Sequence, residues 1–393
     1  MMRVVCVTNL SNIDRCGGES MKIAQVIGSC TPGGAEVFAK NLCKELKKAG
    51  HEVELWVLSR TIDVDTRNEE LLKFEQSYIK DLEECDVEVH FVGKKPRKDW
   101  QKTKSALTAF FRDFEPDIVH CHLENVTFHT CRAIAGKVPI VQTIHNVVIS
   151  HPYVQKFYLL GKLAANVAIS KKVYSIVSEI LGPRARIYTI YNGISISNFL
   201  RERTINEDVR NIVAIGRLEE QKDYPNLLSA ISILKNRLLA NAMPLINVNI
   251  VGSGSLENEL RNLTSKMGLS DIVNFLGIRN DIPELLMSND IYVMASKWEG
   301  LSVSLIEALA GGIPIVTTNA GSNSEIVDNG VNSIIVPTKN PEALSEAIYS
   351  LILDQELRQM FSIEAQNKAK IFSIKQCAEN HIRMYEEIPN GKV

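Results

Sequence analysis

The feature that most narrows what this chain can fold into is an alternation. Short apolar runs of strand length take turns with longer runs whose apolar residues recur at helical spacing, the pattern of parallel strands joined by covering helices. Lys22–Gly28 reads as a buried strand, followed by the glycine-rich turn Thr31–Glu36. The stretch Val37–Ala49 then has helical spacing and stops at Gly50. Further strands are predicted at 52–58, 87–92, 118–122, 140–144, 167–169 and 186–190. A hydrophilic stretch, 198–211, separates a second series at 212–215, 247–251, 273–276, 291–294, 313–317 and 333–336. Helical patterns at 224–238, 256–267, 304–310 and 341–352 lie between these strands. Two doubly wound α/β domains are expected, with ligand outside the carboxyl ends of the strands, in the cleft between them.

The 393 residues suffice for two such domains. The expected division is 1–195, then 196–370, with a C-terminal helix over 371–393 crossing back to the first domain. Residues 1–20 form an extension whose apolar run Met2–Leu10 is either an added edge strand or without structural role. With 45% apolar and 23% charged residues, the chain has the composition of a soluble globular protein. The greasiest segment, Phe157–Ile169, is interrupted by Lys162, so no spanning helix is expected. The N-terminus lacks the apolar core and cleavage site of a secretory signal. Eight scattered cysteines with no Cys-x-x-Cys pair fit reduced thiols, and a cytoplasmic location is expected. Residues 1–195 hold 26 Lys/Arg against 22 Asp/Glu, a net of +4, and the rest of the chain a net of −6, together −2. That basic excess is too small to indicate nucleic acid.

The most informative segment is Lys297–Pro314, where seven residues separate Glu299 from Glu307 and Gly311-Gly312 precedes the next strand. In one continuous helix the two carboxylates would differ by about 80° around the axis and about 12 Å along it, so they cannot act as a pair on one face. Ser302 is a good N-cap candidate. It leaves Glu299 in the loop, Glu307 within the helix, and the N–H groups of Gly300, Leu301, Ser302 and Val303 as an anion site. An elongated ligand with hydroxyls at both ends and phosphate between them suits this layout, and a sugar nucleotide is such a ligand. Arg217 and Lys222, five residues apart after a strand, can converge on one diphosphate, Arg217 as a fork and Lys222 as a point charge.

The segment Glu299–Glu307, with Ile313–Thr318 and Gly321–Val327 after it, resembles the donor signature of retaining GT-B glycosyltransferases of family 4. The likeness runs from Met21 to about Ile382. Gly33-Gly34 matches the glycine turn near the donor phosphates. Asp117–His122 and Thr143–His145 match two histidine-bearing strand ends of the acceptor domain, and Asn192-Gly193-Ile194 the link between domains. Gly216–Lys222 matches the basic pair that grips the diphosphate, and Val251–Gly254 and Phe275–Asn280, with Ile278, the turns around the nucleotide. Two departures stand out: Tyr191 where proline commonly precedes Asn-Gly, and Leu301-Ser302 in place of a bulky residue and proline.

The resemblance implies a GT-B fold of two Rossmann-like domains and transfer from a nucleotide sugar, expected to be UDP-linked. The implied roles are catalytic for His122, Arg217, Lys222 and Glu299. Gly33, Gly34, Gly216, Gly252, Ile278, Gly300, Leu301, Ser302, Val303 and Glu307 are implied in donor binding. Glu307 would accept from the ribose hydroxyls and Glu299 from those of the transferred sugar. Front-face transfer is implied, the donor phosphate taking the acceptor proton, with no resident cofactor and no metal. His122 would face the cleft and make activity pH-sensitive near neutrality. His120 and His145 would support it, and Asp63-Val-Asp65 is read as a solvated loop.

The acceptor is expected to be a glycan or a lipid-linked glycan of cell-surface polysaccharide assembly, of the lipopolysaccharide, O-antigen or exopolysaccharide type. The basic stretch Lys94–Lys104 leads into Leu107, Phe110, Phe111 and Phe114. It reads as an amphipathic helix on its own sheet, or additionally as a contact with anionic lipid at the inner membrane. Two other enzyme classes share the architecture: a sugar-nucleotide epimerase, and a nicotinamide oxidoreductase. The oxidoreductase fingerprint would be Gly252-Ser-Gly254-Ser-Leu-Glu257, which lacks the third glycine.

Overall fold

The computed structural model describes residues 19–64, 69–95 and 99–388. The run Met2–Leu10, Asp65, Arg97 and Lys98 lie outside the described residues. The chain forms two compact units, one made of residues up to Gly193 together with those from Ile374 onward, the other of Ile194–Ser373.

The first unit holds seven parallel strands: β1 Lys22–Ile27, β2 Glu52–Val57, β3 Glu88–Phe91, β4 Ile118–His122, β5 Ile140–Ile144, β6 Ala165–Ala168 and β7 Ile187–Thr189. Their spatial order is β3-β2-β1-β4-β5-β6-β7. Strand β1 is paired on both sides, so both of its faces need apolar cover. Ile23 and Ile27 pack with Phe38, Leu42 and Leu46 of the helix Gly34–Lys48, and with Ile382 and Tyr385 of the helix Ile374–Glu387. Ala24 and Val26 face Trp56, Leu107, Val126 and Ile134 on the other side. The C-terminal helix is thus part of the first unit's core.

The second unit holds six parallel strands: β8 Asn211–Ile215, β9 Asn247–Val251, β10 Val273–Phe275, β11 Ile291–Met294, β12 Ile315–Thr318 and β13 Ser333–Val336. They are ordered β10-β9-β8-β11-β12-β13. The strand order reverses between β1 and β4 in one unit and between β8 and β11 in the other. Loops leaving such neighbouring strands diverge to opposite faces and open a crevice at the carboxyl edge.

Strand positions follow the apolar runs closely. The helix after β1 begins at Gly34, ahead of the predicted Val37, because its first turn, Gly-Ala-Glu, carries no apolar periodicity. Strand β12 starts at Ile315, since Pro314 has no N–H to give to a ladder. The helix Gln355–Ala369 buries a guanidinium on its inner face. Arg358 donates to the carbonyls of Leu351, Ile352, Asn206 and Glu207. Arg358→Leu removes every one of those donors while leaving the carbonyls in place. It should lower the unfolding free energy by about 3 kcal/mol, read from chemical denaturation.

Candidate functional site

In the second unit, the loops that leave β8 and β11 carry the residues singled out by sequence, and they are locked together. The backbone N–H of Lys297 donates to Gln221 O at 2.8 Å. Lys222 Nζ lies 2.6 Å from Glu299 Oε1, with both side chains largely shielded. Ser296 Oγ donates to the same carboxylate oxygen at 2.7 Å, and Gln221 Nε2 donates to Glu299 Oε2 at 3.1 Å and to Trp298 O at 2.9 Å. Glu299 is therefore a buried carboxylate with three donors around it, the arrangement a charge needs when withdrawn from water. Lys222 was expected to offer its charge to a diphosphate; here that charge is spent on Glu299. Arg217 is exposed, and its guanidinium donates to Gln221 Oε1 at 3.4 Å.

A third loop, after β9, closes on the first. Glu219 accepts from the Ser255 amide at 2.8 Å and hydroxyl at 2.7 Å, and the Ser255 amide is the main reason its carboxyl is held below the usual range. Leu218 N donates to Ser253 O at 2.9 Å. The approach is so close that a Cβ on Gly252, whose φ is +128°, would lie 2.2 Å from Gly216 O, and one on Gly254 would lie 2.4 Å from Leu218 O. These glycines are used up in backbone–backbone packing, which is a different use from cradling the pyrophosphate of a nicotinamide dinucleotide. Gly216 itself has the Lys222 stem where a Cβ would stand, and Gly277 O accepts from Gly252 N at 2.8 Å, setting Ile278, half-buried, just beyond β10.

The helix after the Glu299 loop spans Val303–Ala310. Ser302 occupies the N-cap position, yet its side chain does not cap, and its hydroxyl lies instead 3.3 Å from that of Ser304. The first bond within the helix is Ile306 N to Ser302 O at 3.2 Å. The first-turn amides are therefore those of Val303, Ser304 and Leu305. Gly300, Leu301 and Ser302 are buried ahead of that turn, so of the four amides expected to form the anion site only that of Val303 lies in the first turn. Glu307 sits mid-helix, and its carboxyl has no hydrogen-bond or ionic partner among the described residues. Desolvation alone raises its pKa to about 8.

The remaining expected residues belong to the first unit, at its own switch point. Gly33 is the N-cap of the helix Gly34–Lys48, and a Cβ there would fall 2.1 Å from Glu36 Oε2. The approach expected for a donor phosphate is thus occupied by a carboxylate, the charge a helix N-terminus favours. His122 requires a correction. It was expected to face the cleft and titrate near neutrality; it is fully buried, with Nε2 2.8 Å from Gln25 Oε1 and Nδ1 3.0 Å from His145 Nε2. Burial, with His145 and His381 nearby, holds it well below the ordinary value, so it is neutral at physiological pH. His145 is the half-buried member of the group, and burial lowers its pKa to about 3. His120 is pinned between Tyr385 Oη and Thr143 Oγ1, each at 2.6 Å.

Sequence reasoning missed Gln221, Ser296, Gln25 and Tyr385. Gln221 stands inside the Gly216–Lys222 stretch, where its spacing from Arg217 and Lys222 was the available signal. No local signal marks Tyr385, which reaches Gln25 across nearly the whole chain.

Two family models match consecutive stretches of the chain: Glycosyltransferase Family 4 over residues 32–198 and Glycosyl transferases group 1 over residues 195–368. An uncharacterised glycosyltransferase of Methanocaldococcus jannaschii is 26% identical, over 86% of this chain and 91% of its own length. N-acetyl-alpha-D-glucosaminyl L-malate synthase of Bacillus anthracis is 22% identical, over 93% and 98%. Among solved structures, Anabaena HepE in complex with UDP and glucose superposes with a TM-score of 0.77 at 19% identity, over 93% of this chain and 99% of that one.

The raised Glu307 carboxyl has a measurable consequence. In the unfolded chain the group ionises near 4.5 and in the fold near 8. Its protonated form suits the fold, so the stability it allows is complete below the lower value and is lost as pH rises through the higher one. Glu307→Gln removes the titration. In chemical denaturation the variant should gain on the parent by roughly 1 kcal/mol per pH unit across that window, with no further gain above it.

Proposed function

The chain belongs to the family 4 glycosyltransferases of GT-B fold, and from that premise we propose that it moves a hexose or N-acetylhexosamine from a UDP-sugar to a glycan or lipid-linked acceptor of cell-surface polysaccharide assembly, with retention of configuration. The observation that carries this reading is the Lys222–Glu299 contact between the loops leaving β8 and β11, with Arg217 exposed on the first loop and the helix Val303–Ala310, which carries Glu307, following the second. Two likenesses support the donor: HepE, described with UDP-glucose, and an Escherichia coli relative, 27% identical over 51% of its length, described as a UDP-Gal:alpha-D-GlcNAc-diphosphoundecaprenol galactosyltransferase. The same relative supports a lipid-linked acceptor. A cytoplasmic position, in peripheral contact with an anionic membrane, belongs to this reading.

Each residue then has a task. Cleavage between the anomeric carbon and the phosphate oxygen leaves negative charge on UDP. Arg217 takes it as a fork, and the amides of Val303, Ser304 and Leu305 add fixed dipoles. Lys222 turns toward the phosphate when a donor hydroxyl competes for Glu299, so the pair exchanges one buried partner for another instead of exposing a bare charge. Glu307 meets the ribose diol, whose hydroxyls supply the partners it lacks. In the retaining step the acceptor oxygen bonds to the anomeric carbon on the face the phosphate leaves. The acceptor proton passes to the departing phosphate oxygen, so no protein nucleophile and no metal ion are invoked. In the first unit, buried neutral His122 holds His145 in place for the acceptor side.

A thermal-shift screen of UDP-, GDP- and ADP-sugars tests the donor first, with stabilisation expected for UDP-sugars alone. Arg217→Ala should then lower transfer of labelled sugar by roughly 100-fold or more, while Gln221→Leu should raise KM less than it lowers kcat. Proton NMR of the product reads the anomeric configuration, and an inverted product would remove the retaining step. Label recovered in an epimerised nucleotide sugar, with none transferred, would favour the epimerase instead.

A further inference from the structure

Between Glu124 and Glu179 the chain has no acidic residue, and it carries Arg132, Lys137, Lys156, Lys162, Lys171 and Lys172. The most exposed large apolar side chains of the described residues lie in the same stretch: Tyr153, 78% exposed, and Phe157, 76% exposed. They follow one another on the helical segment that starts at Pro152 and continues as a wider turn over Gln155–Leu159. Their rings stack with centroids 6.4 Å apart and planes 8° from parallel. Gln155 and Leu159 on the opposite side are buried, so the outward direction of the two rings is fixed by packing beneath them.

Cations surround these rings. Lys156 Nζ stands 5.8 Å from the Phe157 centroid and Lys162 Nζ 3.7 Å from that of Tyr158. Tyr158 contacts Phe128 at 5.0 Å, and Phe128 contacts half-exposed Trp100, over which Arg132 lies at 4.9 Å. Two aromatic groups, the exposed Tyr153–Phe157 pair and the Tyr158–Phe128–Trp100 row, thus meet at adjacent residues, each with a cation beside it. Aromatic rings at headgroup level, with lysine and arginine among the phosphates, are the side chains that settle at a bilayer interface. Glu124, whose carboxylate accepts from His151 N at 3.2 Å, adds one negative charge at the start of this segment against the cations Lys156, Lys162 and Arg132, and the positive excess suits anionic headgroups.

We propose that this face seats the first unit on a bilayer bearing anionic headgroups, with Tyr153 and Phe157 inserted and Lys156, Lys162 and Arg132 among the phosphates. The inference rests on the reading above in one respect: a lipid-linked acceptor gives the docking its purpose. The test is co-sedimentation of the full chain with phosphatidylcholine vesicles, with and without phosphatidylglycerol. Binding is expected only to the anionic vesicles and should weaken with added salt. Tyr153→Ser with Phe157→Ser should cut partitioning at least ~tenfold, and Lys156→Gln with Lys162→Gln by roughly tenfold. Both double variants should keep the parent's melting temperature and its shift with UDP, since none of the four side chains belongs to the donor site. Absence of binding to anionic vesicles, equal binding to neutral ones, or undiminished binding by the aromatic variant would overturn the proposal. If UDP-sugars protect the chain and donate label while vesicles are ignored, this inference alone fails. If they do neither, the donor reading fails, whatever the vesicles show.

Discussion

The switch point of the second unit depends on one buried ion pair. Lys222 and Glu299 lie on loops that leave adjacent strands of the second unit, and each is nearly withdrawn from water. A lone carboxylate in that position would carry a desolvation cost of several kcal/mol, so the pair is stable only because both loops arrive together and bring Ser296 and Gln221 as further donors. That closeness is set by backbone. Gly321, with φ at +56°, passes so near the Glu299 loop that a Cβ would stand 1.8 Å from Glu299 O. Gly252 and Gly254 do the same for the Arg217 loop. A side chain at any of these positions would displace a loop that carries one member of the pair. The glycines thus act on the chemistry indirectly, through the distance they permit.

Much of this was legible in the sequence, and the reasons are physical. Parallel strands buried on both faces are short continuous apolar runs, so every strand of both sheets was visible as such a run. The loop position of Glu299 followed from Ser302 and the helical spacing after it. What could not be read was which charges would face each other. Arg217 and Lys222 are equivalent cations by composition, yet Lys222 is drawn inward by a carboxylate far along the chain while Arg217 stays outside. Burial of His122 was equally hidden. A histidine at a strand end looks exposed until the partner from the C-terminal helix, Tyr385, is known to fill the space behind its neighbour His120. Contacts of that sequence separation leave no local trace.

The two switch points solve different electrostatic problems. In the first unit the crevice is floored by neutral groups that satisfy one another: Gln25, His120, His122, His145 and Tyr385 form a chain in which burial holds each imidazole uncharged. In the second the floor is ionic, with Lys222 and Glu299 paired, Arg217 left outside and Glu307 kept neutral by desolvation. A neutral, hydrogen-bonded layer suits a hydroxyl nucleophile, whose charge must not develop before transfer begins. A pre-paired ionic layer suits a diphosphate, whose charge must be met without a fresh desolvation cost at each turnover. Glu307 fits the same logic from the other side. Its carboxyl tolerates burial by holding its proton, and a diol arriving beside it can both donate to it and accept from it. The chemistry asked of each fold is thus reflected in which of its buried polar groups carry charge when no ligand is bound.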